Sequence, residues 1–171
     1  MVIIRREIPE DISGIVSINN EAFGQDNEGR LVNLLRETSS ILSLVAVDDN
    51  GKLLGHILFS RIQIVSPDGS EFPAVALAPM AVAKKYQNKG IGSRLIREGM
   101  KTLQKMEEMI VVVLGHPWYY PKFGFEPAKQ YGITPPFKVR DQNAWMVYFL
   151  EPDLKGQVEG MVHYPEAFNQ V

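Results

Sequence analysis

Residues 73–114 constrain the fold more than any other stretch. PAVALAPMAVA (73–83) is an apolar run of strand character, and MIVVVL (109–114) is apolar at every position, as expected of a parallel strand covered on both faces. Between them, Ile91, Leu95, Ile96, Met100, Leu103 and Met106 recur at the spacing of one apolar helix face. Strand, helix and strand in that order predict a right-handed crossover and an α/β architecture. Pro79 falls inside the first strand, and having no N–H to donate it belongs at an edge or a bulge. We expect the bulge, which would part the strand from its neighbour and expose backbone groups that an extended ligand can complete.

The flanking sequence fills in a sheet. VIIRRE (2–7) predicts an opening strand, and Pro9 with Asp11 starts a helix whose face is Ile12, Ile15, Val16, Ile18 and Ala22. Leu31, Val32, Leu34 and Leu35 mark a second helix. SLVAVDD (43–49) and LLGHILFSRIQIV (53–65) predict antiparallel strands joined through a tight turn at Asn50-Gly51. After residue 114 come a short helix around Trp118 to Lys122, a strand AWMVYFL (144–150) and a tail without clear period. Met80, Met100, Met106, Met109, Met146 and Trp145 read as ordinary apolar faces. The expected fold is a mixed, mostly antiparallel central sheet with a splayed parallel strand pair and flanking helices. We expect a single domain over residues 1–171.

Composition removes several chemistries. The 171 residues include no cysteine, which excludes a thiol nucleophile, a disulfide scaffold and cysteine metal sites. His56, His116 and His163 lie far apart without metal-ligand spacing, so no metal is expected. No basic, apolar leader is present and no apolar run is long enough to span a bilayer, so a cytoplasmic protein without a membrane partner is expected. The net charge of -2 argues against nucleic acid. Yet seven basic residues (Lys84, Lys85, Lys89, Arg94, Arg97, Lys101, Lys105) face a single acid, Glu98, between 84 and 105. They form either the solvated face of a helix or a local anion site.

Gly90 and Gly92 sit where a strand gives way to this basic helix, the place where backbone N–H groups can converge on a phosphate. A dinucleotide fingerprint needs a glycine where Leu95 stands, and a nucleotide P-loop needs a closing Gly-Lys-Ser/Thr that is absent. What remains is Gln87-x-x-Gly90-x-Gly92. In its setting it resembles motif A of the GCN5-related N-acetyltransferases, Q/R-x-x-G-x-G/A. Tyr120-Pro121-Lys122-Phe123-Gly124-Phe125 is similar to a second family motif, Y-x-x-x-G-F. The order of elements agrees across nearly the whole chain. HPWYYPKFGFEPA, AFGQDNEGRLVNLLR and VHYPEAF resemble a subgroup of predicted bacterial acetyltransferases.

The resemblance implies acetyl-coenzyme A as cosubstrate, held in a cleft between the strand ending near Val82 and the strand ending near Leu114. It implies that the backbone of Gln87, Asn88, Lys89, Gly90, Ile91, Gly92 and Ser93 holds the pyrophosphate, and that Met80, Ala81 and Val82 pair with the pantetheine arm. Tyr120 would donate a proton to the leaving thiolate, with Tyr119 as its rival. No proton acceptor is assigned among Glu21, Glu28, His56 and His116. Phe23, Glu21 and Glu28 fall where the family builds its acceptor site, although each alone reads as core or as a solvated acid. The partner expected is a small-molecule or peptide amine. A homodimer stays open, since EGMVHYPEAF (159–168) is apolar enough to cover a sheet edge or meet a second subunit. The rival reading is a non-catalytic sensor of coenzyme A with the same fold.

Overall fold

The computed structural model describes residues 1–170 and divides them into two compact units. The first comprises Met1–Ser60, Ala78–Leu103 and the segment from Pro165; the second comprises Arg61–Leu77 and Gln104–Tyr164.

In the first unit, β1 (Ile3–Arg6) leads into α1 (Ile12–Phe23) and α2 (Asn27–Thr38), then β2 (Ser40–Val47) and β3 (Leu53–Val65). β2 pairs antiparallel with both β1 (Ile3↔Val47) and β3 (Val45↔His56). The entry to α1 is held by the Arg5 guanidinium, which donates twice to the Asp11 carboxylate at 2.7 and 3.1 Å, while Asp11 also accepts the Ile8 N–H at 2.8 Å. Ile15, Val32, Leu35, Val45 and Leu58 make a core from which water is almost excluded, joined by Ala167 from the tail. β4 (Glu71–Val82) ends in this unit and is followed by α3 (Ile91–Lys105), which buries Ile91, Leu95, Ile96, Met100 and Leu103. α3 can approach β3 because a Cβ at Gly99 would lie 2.5 Å from the Phe59 ring.

In the second unit, β5 (Ile110–Leu114) pairs parallel with β4 (Val75↔Val111, Ala76↔Val112). β6 (Glu126–Pro127), β7 (Ile133–Thr134), β8 (Trp145–Phe149) and β9 (Gly160–His163) follow. β8 runs antiparallel to β5 and β6; β9 is antiparallel to β3 and parallel to β7. Trp145 is fully buried and donates its indole N–H to the Ile133 carbonyl at 3.0 Å. The Arg61 guanidinium grips the Glu108 carboxylate with bonds of 2.8 and 2.6 Å and also donates to the Ala74 carbonyl.

The mostly antiparallel pattern with the expected parallel pair is present, together with a second, two-residue parallel pair, β7·β9. Several local readings need correction. The hairpin does not turn on Asn50-Gly51 alone: Asp48 accepts the Gly51 N–H at 3.0 Å, Asp49 and Asn50 form the bend, and only Gly51 (φ 79°) is left-handed. The Asp48 carboxylate decides this by also accepting the N–H groups of Asn50 and Lys52. Met106 and Met109 lie beyond the end of α3 and are exposed, and Leu114 is half exposed. The short helix is a 3-10 turn at Tyr120–Phe123, leaving Trp118 outside it. The tail serves the chain's own structure, through β9 and through Ala167. Among the described residues no helix is long and apolar enough to cross a membrane.

Candidate functional site

The parallel ladder from β4 to β5 covers Val75 and Ala76, and the cis Ala78–Pro79 bond follows at the place where a bulge was expected. From there the β4 edge carries Met80, Ala81 and Val82. Ala83 donates to the Leu54 carbonyl at 2.9 Å, the chain makes a 3-10 turn over Lys84–Tyr86, and the Gln87 side-chain amide reaches back to the Val82 carbonyl at 3.0 Å. That last bond closes the loop on itself, so Gln87 acts through its side chain. Its own N–H already points at the Lys84 carbonyl, 3.5 Å away, whereas no backbone bond takes the N–H of Asn88, Lys89 or Gly90 among the described residues.

Asn88 and Gly90 both adopt positive φ, 62° and 87°, turning the backbone just before α3. Gly90 accepts the Arg94 N–H at 3.1 Å and therefore caps the helix, placing the N–H groups of Ile91 and Gly92 in the first turn, where a helix offers donors without internal partners. A Cβ added at Gly90 would meet no atom within 4 Å. All seven basic residues of the segment are exposed, and Lys52 and Lys89 set their ammonium groups 5.5 and 5.7 Å from the Tyr86 ring centre. The loop thus offers N–H groups without backbone partners, a helix N-terminus and positive charge, which are features of a phosphate site.

In the second unit, Tyr120 is 7% exposed, packed against Tyr119 and Phe125 with ring centres 5.3 and 5.6 Å apart. Gly115 permits this, since a Cβ there would run into the Tyr120 ring. Gly124 plays the same part under the Tyr148 ring and closes the turn by donating to the Pro121 carbonyl at 3.1 Å. Burial pushes the Tyr120 hydroxyl well above the ordinary tyrosine range, with the neighbouring Tyr119 adding to the effect. A hydroxyl so placed keeps its proton at neutral pH and is a weaker acid than an exposed tyrosine. Tyr119, the rival, is half-buried between Trp118, Tyr120 and Phe123.

Among the unassigned proton acceptors, His56 is fully buried in the first unit and is not available to a substrate. The Asn19 amide donates to its Nδ1 at 3.1 Å and Ser43 lies 2.9 Å from its Nε2, which makes Nε2 the protonated nitrogen of the neutral ring. Burial, opposed by Glu7, lowers its pKa to about 4. Nothing in the sequence marked Asn19 as the partner of His56, because a polar residue on a helix usually faces water. Phe23 and Glu21 are exposed, Glu28 accepts from Gln25 at 3.0 Å, and His116 is exposed and stacked on Trp118. No group of metal-ligating residues occurs among the described residues.

The sequence profile of the acetyltransferase (GNAT) domain matches residues 4–128. The uncharacterized N-acetyltransferase YhbS of Escherichia coli is 36% identical over 170 residues, covering 99% of both chains. The crystal structure of YhbS with CoA superposes with a TM-score of 0.91 over 98% of this chain and 92% of that one. The uncharacterized E. coli N-acetyltransferase YjhQ is 40% identical over 146 residues, 82% of this chain and 80% of its own. A Brucella melitensis GNAT family acetyltransferase in complex with acetyl-CoA is 33% identical, with a TM-score of 0.79 and 98% of each chain covered.

Proposed function

This chain belongs to the GNAT acetyltransferase family and is an acetyl-CoA-dependent acyltransferase, and from that premise we propose that it moves the acetyl group to a primary amine by direct attack on the thioester. The observation that carries the reading is the loop before α3. Its unpaired N–H groups at Asn88, Lys89 and Gly90, the open side of Gly90 and the first turn of α3 suit a pyrophosphate. On this reading the β4 edge at Met80, Ala81 and Val82 pairs with the pantetheine amides in strand fashion, and a backbone N–H near Val82 polarises the thioester carbonyl.

The amine attacks in its neutral form, a C–N bond forms as the C–S bond breaks, the nitrogen gives up one proton to solvent, and the sulfur takes one up. Tyr120 supplies that proton and recovers it from solvent. The support is its position in the family motif Y-x-x-x-G-F and its place against Gly115. With no cysteine to carry an acyl group, positioning of the amine against the thioester does the remaining work.

Calorimetric titration with acetyl-CoA, with NAD and ATP as controls, tests the reading. Selective binding in the micromolar range, followed by amine-dependent release of thiol, is the expected result; a folded protein that binds none of the three would overturn it. Because the chain has no cysteine, any thiol detected comes from coenzyme A.

A further inference from the structure

A ladder of rings leads from the surface of the second unit to Tyr120. His116 stacks on Trp118 at 5.0 Å and 17°, Trp118 and Tyr119 meet edge to face at 6.0 Å, and Tyr119 meets Tyr120 at 5.3 Å. Trp118 is nevertheless 68% exposed, an unusual state for the largest apolar side chain. His116 covers one face of the ring and Tyr119 packs against it at a steep angle, while most of its surface stays open. Such a side chain is a preformed surface for another planar group, with little rotamer entropy left to lose.

The charge around it narrows the occupant. Residues 114–125 contain no acid, and their one formal charge is Lys122, whose ammonium lies 5.7 Å from the Tyr119 ring centre. The nearest acid in sequence, Glu126, is engaged by Lys155 at 2.9 Å and by the Tyr131 hydroxyl at 2.8 Å. A second cation would be repelled here, and a carboxylate would be drawn to Lys122.

We propose that Trp118 and Lys122 select the acceptor, and that the acceptor is a small amine carrying both a planar aromatic group and a carboxylate, as a free aromatic amino acid does. The ring lies on the open face of Trp118 and the carboxylate turns to Lys122. Lys122 also disfavours the protonated form of a nearby amine, which helps the amine react. This proposal rests on the acetyltransferase reading and on Tyr120 within it.

The test compares L-phenylalanine, 2-phenylethylamine and n-butylamine as acceptors, by thiol release. The expected kcat/KM falls about tenfold at each step of that series, the size of one aromatic contact or one charge contact. Trp118→Ala should erase the preference for the ring, Trp118→Phe should restore most of it, and Lys122→Gln should erase only the preference for the carboxylate. Acetyl-CoA affinity should stay unchanged in all three. A second readout is independent of turnover. Trp118 and Trp145 are the chain's two tryptophans and Trp145 is fully buried, so acrylamide quenching of fluorescence reports Trp118. L-phenylalanine should reduce that quenching in the presence of coenzyme A.

An unaltered acceptor preference in Trp118→Ala, no preference in the parent protein, or protection of Trp118 by coenzyme A alone would overturn the proposal. Failure of the underlying reading looks different: no acetyl-CoA binding by calorimetry and no thiol release with any amine.

Discussion

The loop before α3 and the segment from Gly115 to Phe125 both depend on glycine, for opposite reasons. Gly90 holds a left-handed φ and opens onto a side where an added Cβ meets nothing within 4 Å. Gly115 and Gly124 are pressed against tyrosine rings, and an added Cβ would collide with them. One region keeps backbone accessible to something outside the chain; the other gives its space to its own side chains. The contrast teaches that a glycine motif can mark a binding surface or a packing surface, and that the effect of a substitution tells them apart. In the loop, binding should fail with the fold nearly intact. In the aromatic segment, stability and turnover should fall together.

The largest effect expected is that of Gly90→Glu, which sets a carboxylate where the proposed pyrophosphate site lies and should weaken acetyl-CoA binding by more than about 100-fold. The fold should lose only about 1–2 kcal/mol, from the left-handed φ. Calorimetry and a thermal melt read the two quantities, and unchanged affinity would break the comparison on the loop side. Tyr120→Phe comes next. It should lower kcat by about 10- to 100-fold, at or below the lower end of what general acids supply, with acetyl-CoA affinity unchanged; equal turnover would return Tyr120 to a packing role.

Gly115→Ala should cost about 1–3 kcal/mol, as overpacking does, and should lower kcat with it, since the ring it displaces is Tyr120. Melting temperature and turnover measured on one sample check this. A stable Gly115→Ala variant with full activity would remove the packing half of the contrast.

The smallest effect concerns pH and the first unit. His56 is neutral in the fold with a pKa of about 4, below the 6.5 of an exposed histidine. The unfolded chain therefore binds its proton first, so stability is complete above about pH 6.5 and falls as the pH drops toward 4. At pH 5.5 the loss is about 1.4 kcal/mol, one pKa unit's worth. Denaturant titrations at pH 7.5 and 5.5 measure it, and His56→Gln should flatten that part of the profile. Persistence of the same slope in His56→Gln would assign the acid sensitivity elsewhere.

Long periodic elements were legible in the sequence. LLGHILFSRIQIV is β3 residue for residue, and the apolar face of α3 is the one its spacing implied as far as Leu103. Met106 was misread because α3 ends at Lys105: Glu107 turns left-handed and donates to the Gln104 carbonyl, and the side-chain period carries no sign of that stop. β6 and β7 have two residues each and β9 has four, too few for an alternation to show; β6 is a strand by pairing with β8, β9 by pairing with β3, and β7 by pairing with β9. At the site, glycine spacing located the loop. The Gln87 side-chain bond to Val82 spans only five residues and depends on the 3-10 turn between them, whereas the His56–Asn19 pair joins residues 37 apart that tertiary packing brings together, which no local pattern encodes.

The tail has a consequence for how the molecule comes into being. Ala167 is part of the same apolar cluster as Ile15, Val32 and Leu35, although 132 to 152 positions of the chain separate them. While a ribosome is still making the second unit, the first already has both of its early helices but lacks one piece of their covering. The unit begun first is thus completed last.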